Sequence, residues 1–278
     1  RPRPRPPRPP CRCGRLRAAS ATRRATRRTR ERPTTRAAPL ALAAAGRGTG
    51  VVLECGDGVC QVAAVYEGYS LPHTVATLRL AGSDLTEHLR ALLARRGTRL
   101  AGTTAEQEVV RGIKEAVAAV GVHYDDEVAA ASATAAGERR VELPDGTVVR
   151  LGAERLMCPE PLFSPAMIGV EADGVAALVA GAVMRCDVDV RQALVANVVV
   201  SGGSSLFPGF RERLALELAD MLPPALGAEL DITACPQRRW AVWAGASALA
   251  ARSDFDSLCV TLEEWEEAGP AAVHRRCF

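Results

Sequence analysis

The chain lacks any apolar run near the ~18 residues that would mark a membrane-spanning helix. Its longest candidate, Val175 to Met184, stops at Arg185. The head is not expected to act as a secretory signal, because it has Arg and Pro where an apolar stretch should stand. Lysine is nearly missing: Lys114 is the only one, against 34 arginines, and this bias reads as a composition effect with little functional weight. A zinc site is missing too. Cys11 and Cys13, and Cys55 and Cys60, have the wrong spacings for ligand pairs, and the 4 histidines do not complete them. The 9 cysteines are odd in number, and a chain this long with an ample core needs no disulfide framework, so reduced intracellular thiols are expected.

What is present divides unevenly. Residues 1–36 hold 14 Arg and one acid, Glu31, and the other 242 residues hold 21 basic and 31 acidic side chains, a net of −10. A basic head precedes an acidic body, and the overall charge of +3 conceals both. The head, 1–36, has almost no large apolar side chain and is expected to be disordered. It reads as a tail for nucleic acid or an anionic membrane, as an organellar address, or as a solvated extension or a segment wrongly joined to the body. The body, 37–278, lies in a chain that is 48% hydrophobic, enough for one large domain or two smaller ones.

Within the body, Gly50–Glu54 reads as a buried strand, Gly56-Asp57-Gly58 as a turn and Val59–Tyr66 as the return strand. Leu85, Leu89, Leu92 and Leu93 place a helix over Asp84–Arg95. Thr103 and Glu106 form a capping box for a helix reaching Val120, with Val109, Val110, Ile113, Val117 and Val120 on its buried stripe. Val141–Leu151 reads as a hairpin around Pro144-Asp145-Gly146. Gly174–Met184 is expected to be helical and Asn197–Ser201 a strand. Pro208 is expected as the first residue of a helix ending near Met221, and Trp240–Ala251 as a further helix. Strands and helices alternate throughout, which makes the class α/β.

Three features carry chemistry. Glu54-Cys55-Gly56-Asp57-Gly58 lets backbone N–H groups approach a phosphate, with an acid able to hold a metal through water; the same pattern also occurs in plain hairpins. Ser201-Gly202-Gly203-Ser204-Ser205 runs from a strand toward a helix N-terminus, a general anion-binding design. Arg111, Lys114 and Glu115 share one helix face opposite the apolar stripe, which spacing alone reads as a solvated face with an ion pair.

Together these segments resemble the actin family. Thr49–Val59 resembles its second phosphate-binding hairpin and Tyr66–His73 the strand exit after it. Leu80–Thr86, Thr104–Glu115, Glu142–Gly146, Cys186–Arg191, Val200–Gly209 and Val273–Phe278 follow in the family's order. The resemblance implies the α/β fold shared with Hsp70 chaperones and sugar kinases (RNase H-like), incomplete at the N-terminus. It implies ATP or ADP held with Mg2+ or Ca2+. Gly56, Asp57 and Gly58 would hold phosphates, while Gly82, Arg111, Lys114 and Glu115 would line the ribose and adenine side. Gly202, Gly203, Phe207 and Arg239 would complete the pocket, and Glu54, with Asp57, would stand near the cation through water. Phe163–Glu171, with Met167 and Ile168 at its tip, resembles a loop used in filament contacts. Ala43, Ala44, Gly46, Ala248 and Leu249 would line a cleft for actin-binding proteins. The expected partners are other actin-like subunits and actin-binding proteins, with nucleic acid only through the head, and the expected location is the cytoplasmic cytoskeleton.

The departures from the family pattern are expected to impair turnover. The family's first phosphate hairpin has no counterpart before Leu40. Its water-orienting histidine is Gln61 here, a weak catalytic candidate, and its aspartate near the cation is Glu54. Two functions follow: an ATP-binding filament subunit that is a slow ATPase, or a degenerate adaptor that docks partners without turnover.

Overall fold

A computed structural model describes residues 37–98, 103–134, 137–143 and 146–272. The head, the Pro144-Asp145 pair and the Val273–Phe278 ending lie outside the described residues. Strands β1 (Gly50–Cys55), β2 (Cys60–Tyr66), β3 (Tyr69–Ser70) and β4 (Ala76–Leu78) come first, then the hairpin β5 (Arg139–Glu142) and β6 (Val148–Leu151), then β7 (Val198–Ser201) and β8 (Ile232–Thr233). The helices are α1 (Ala37–Ala44), α2 (Gly82–Arg95), α3 (Thr104–Val117), α4 (Tyr124–Ala133), α5 (Glu154–Met157), α6 (Val175–Met184), α7 (Val188–Val195), α8 (Phe210–Met221), α9 (Pro224–Gly227), α10 (Ala241–Ala250), α11 (Phe255–Leu258) and α12 (Leu262–Ala268). Among the described residues, no helix is long and apolar enough to cross a membrane.

One mixed sheet organises the body in the order β3-β2-β1-β7-β8, with β4 paired to β2. The central strand β1 runs antiparallel to β2 and parallel to β7. Because it is covered on both faces, its apolar residues run nearly unbroken rather than alternating. Val51, Leu53 and Cys55 point into the main core with Leu85 and Leu89 of α2, Val179 of α6 and Phe210 and Leu214 of α8. Val52 points the other way, with Val65 and Val199, against Ala41 and Leu42 of α1 and Ala241 of α10. Each fully buried Leu or Val in these layers contributes about 1.5–3 kcal/mol relative to exposure.

Several boundaries differ from the sequence expectation, each for a tertiary reason. The α3 helix ends at Val117, not Val120, because Ala118 turns to an extended backbone and the Val120 N–H donates to the Pro208 carbonyl at 2.8 Å. Val120 remains buried beyond the helix end. Pro208 does not begin α8. Gly209, with φ +83°, intervenes, and the helix starts at Phe210. The return strand begins at Cys60 rather than Val59, which is exposed in the turn. The capping box at α3 stands as read: the Glu106 N–H donates to the Thr103 hydroxyl at 3.4 Å and the Thr103 N–H to the Glu106 carboxylate at 3.1 Å.

Candidate functional site

The carboxyl ends of parallel β1 and β7 are Cys55 and Ser201, and each strand runs into a glycine turn there. Strand ends of this kind are where open α/β sheets bind ligands. The two turns are tied together. The Ser204 hydroxyl donates to the Gly56 carbonyl at 2.6 Å, while the N–H of Gly82 donates to the same carbonyl at 3.2 Å. The N–H and hydroxyl of Ser83 both donate to the Asp57 carbonyl, at 2.8 and 2.9 Å. Gly202 is required by shape: its φ is +92°, and a Cβ there would lie 2.1 Å from the Cys55 carbonyl oxygen. Behind this turn, Arg238 donates from Nε to the Ser205 hydroxyl at 2.9 Å, and its own carbonyl accepts from the Gly202 N–H at 3.2 Å.

A pocket of about 310 Å3 opens beside these turns, lined by Gly56, Asp57, Arg111, Lys114, Glu115, Gly203, Ser204, Leu206, Phe207, Pro208 and Arg239. Eight of the residues singled out in the sequence therefore come together. Gly58 is exposed at the hairpin tip, Gly202 supports the turn from behind, and Gly82 starts α2. Leu206 was not singled out, Pro208 was read only as a helix start, and Ser204 only as part of its glycine turn. The signal for Ser204 lay in a hydroxyl following two glycines at a strand end.

Lys114 departs from the solvated-face reading. It is only 4% exposed, and its ammonium donates to the Gly82 carbonyl at 2.5 Å and the Thr86 hydroxyl at 2.8 Å. Burial lowers its pKa from the usual lysine value. Arg111 and Glu115 do form the expected ion pair, at 3.2 Å, and Arg111 also reaches Glu108 at 3.4 Å. That bond to Glu115 holds the Arg111 guanidinium above its ordinary value. Arg239 is exposed, with its guanidinium carbon 5.4 Å from the centre of the Trp240 ring.

Glu54 and Gln61 do not line this pocket. They sit opposite one another in the β1–β2 ladder, on the α1 side of the sheet. They line a separate cavity of about 520 Å3 with Ala37, Ala38, Val52, Ala63, Ser70, Pro72 and Val75. Burial raises the pKa of Glu54 above the usual carboxylate value. The Ser70 hydroxyl is buried without a hydrogen-bond partner.

The first pocket stands at the lower end of the small-molecule range, which begins near ~300 Å3. Its charged side chains, two carboxylates and three cations, suit a polar, anionic ligand. Among the described residues no group of three or more His, Cys, Asp or Glu could enclose a metal. A hydrated Mg2+ is compatible with that, because it takes one or two carboxylates and completes its shell with phosphate oxygens and water. Asp57, exposed in the pocket wall, is the carboxylate on the hairpin. In a comparison with protein families, the family model named Actin matches residues 34–278.

Proposed function

The chain belongs to the actin family, and from that premise we propose that it is an actin-like cytoskeletal protein that binds ATP or ADP with Mg2+ or Ca2+ and contributes to filament assembly. The observation that carries the nucleotide is the pocket beside the two glycine turns, which Asp57, Arg111, Glu115, Gly203, Phe207 and Arg239 line together. In this reading the hairpin tip at Gly56–Gly58 receives phosphates and Asp57 holds the cation through water. Arg111 and Glu115 orient the sugar and base, and Phe207 and Arg239 close the far side. Lys114 acts through the wall: its ammonium pins the first turn of α2 to α3. The filament and partner surfaces rest on the exposed Met167 at the tip of the turn Pro165–Ile168. They rest also on Ala43, Gly46 and Ala248, exposed beside the α1–α10 contact. A cytoplasmic, cytoskeletal location follows from the same reading.

Titration of the purified chain with a fluorescent ATP analogue and Mg2+ tests it. Saturable binding is expected, weakened about tenfold or more by Glu115→Ala, equivalent to at least ~1.4 kcal/mol. Absence of saturable binding, or binding untouched by Glu115→Ala, would defeat the assignment of this pocket. A second reading, an adaptor that docks partners without turnover, is favoured by one observation: Glu54 and Gln61 open into a different cavity from the one assigned to the nucleotide.

A further inference from the structure

Cys55 and Cys60 flank the Gly56–Val59 turn, one at the end of β1 and one at the start of β2, and they are direct cross-strand partners. The Gly56 N–H donates to the Val59 carbonyl at 3.1 Å, so Gly56 and Val59 form a hydrogen-bonded pair. Antiparallel ladders alternate, which makes the next pair, Cys55 and Cys60, a non-hydrogen-bonded one. In such pairs the Cα atoms lie about 4.5 Å apart and the side chains approach most closely. A disulfide needs Cα atoms about 4.4–6.8 Å apart. The two thiols point to the same side of the sheet, into one core, and both are fully buried. Both are free.

We propose that Cys55 and Cys60 form an oxidative modification site, closing an intramolecular disulfide that locks the Gly56–Val59 hairpin. The co-reactant is a small disulfide such as oxidised glutathione. One cysteine thiolate attacks a sulfur of the small disulfide and expels one thiolate, giving a mixed disulfide. The second cysteine thiolate attacks the protein sulfur of that mixed disulfide and expels the other. Two protein thiols lose two hydrogens, one protein S–S bond forms, and the small disulfide is reduced to two thiols.

Burial sets the kinetics rather than forbidding the reaction. Neither sulfur meets solvent while the hairpin is closed, so attack waits for the turn to open. Asp57, Gly58 and Val59 at its tip are exposed, and opening must release the bonds from Gly82, Ser83 and Ser204 that hold the Gly56 and Asp57 carbonyls. Once formed, the bond is shielded from reductant by the same burial. The lock therefore sets slowly and releases slowly, and it stands independently of what the neighbouring pocket binds.

The test uses the whole chain, purified reduced, incubated natively with oxidised glutathione, quenched by alkylation and digested with trypsin. Cleavage after Arg47 and Arg79 yields residues 48–79, which contain Cys55 and Cys60 and no other cysteine. The expected product is that peptide unalkylated and lighter by two hydrogens, in more than half of the chains. The melting temperature should rise by ~5 °C and return on reduction. A doubly alkylated peptide, a glutathione adduct that never resolves, closure only after unfolding, or closure that lowers the melting temperature would each overturn the proposal.

Discussion

Glu160 shows how a single buried carboxyl can set the pH response of the body. It is 1% exposed. One of its oxygens accepts from Arg213 at 3.1 Å and, at the 3.5 Å limit, from the Ser164 hydroxyl, while the other has no partner. Arg213 is itself shared with Glu217 and with the Gly121 carbonyl, and it lies over the Phe163 ring. Burial outweighs the divided arginine and pushes the Glu160 carboxyl up to about 7 from 4.5. Between those two values the folded state keeps a proton that the unfolded state has lost. Stability must therefore fall as pH rises through this window and level off above it. The shift corresponds to roughly 3 kcal/mol at most. Urea midpoints measured from about pH 5 to about pH 8 should show this decline in the native sequence and a flatter profile in Glu160→Gln, which keeps an acceptor for Arg213. An unchanged slope in the variant would assign the pH response to other groups. Lys114 makes the converse case, a buried charge held by two neutral partners. Lys114→Met leaves the Gly82 carbonyl and Thr86 hydroxyl without the ammonium, at a cost of about 2 kcal/mol in the same urea assay. A loss below a few tenths would mean that water replaces those bonds.

Helix α1 and helix α10 illustrate what elements add to residues. They stand about 200 residues apart in sequence, yet Gly245 of α10 packs so closely on α1 that a Cβ would lie 1.9 Å from the Leu40 carbonyl oxygen. Gly245→Ala must therefore separate the two helices, losing about 3 kcal/mol through overpacking. Gly112 of α3 has nothing within 4 Å of the same construction, so Gly112→Ala should gain up to about 1 kcal/mol from helix propensity alone. Equal effects from the two substitutions would refute the close-approach account. The same contrast explains which elements were legible. The capping box of α3, the leucine spacing of α2 and the hairpin β1–β2 depend on neighbours within a few residues, and they stand where the pattern placed them. α1 was not legible, because an alanine-rich eight-residue segment signals nothing until α10 covers it. The start of α8 was misplaced at Pro208 because the deciding contact comes from Val120, nearly ninety residues earlier. In the site, the glycine turns and Arg111–Glu115 pair were visible as local motifs. The burial of Lys114 was not, since it exists only through α2 packing on α3.

At the scale of the molecule, the sheet separates two sets of groups that the sequence had placed in one site. The first pocket lies at the carboxyl ends of β1 and β7. Glu54 and Gln61 open into the cavity on the α1 face, and the two cavities share no lining residue. In-line attack on a γ-phosphate needs a cation, a clamped phosphate and an aligned water within one water-excluded space. Gln61 can hydrogen-bond a water but cannot take up its proton as an imidazole does, and Glu54 carries one methylene more than an aspartate. The described residues supply a single glycine hairpin, Gly56–Gly58, for the phosphates. Binding and turnover are thus expected to part company in this chain. Nucleotide should bind through the first pocket, while hydrolysis should run at least ~100-fold below that of an intact filament-forming actin, the lower bound for losing one positioned acid–base group. Single-turnover phosphate release from the purified chain, at saturating ATP and Mg2+, measures this directly. Gln61→His should raise the rate only if the α1-side cavity holds the attacking water. A native rate equal to that of intact filaments would show that the separation of the two cavities does not limit the chemistry. A slow rate unchanged by Gln61→His would place the defect in phosphate clamping rather than in water activation.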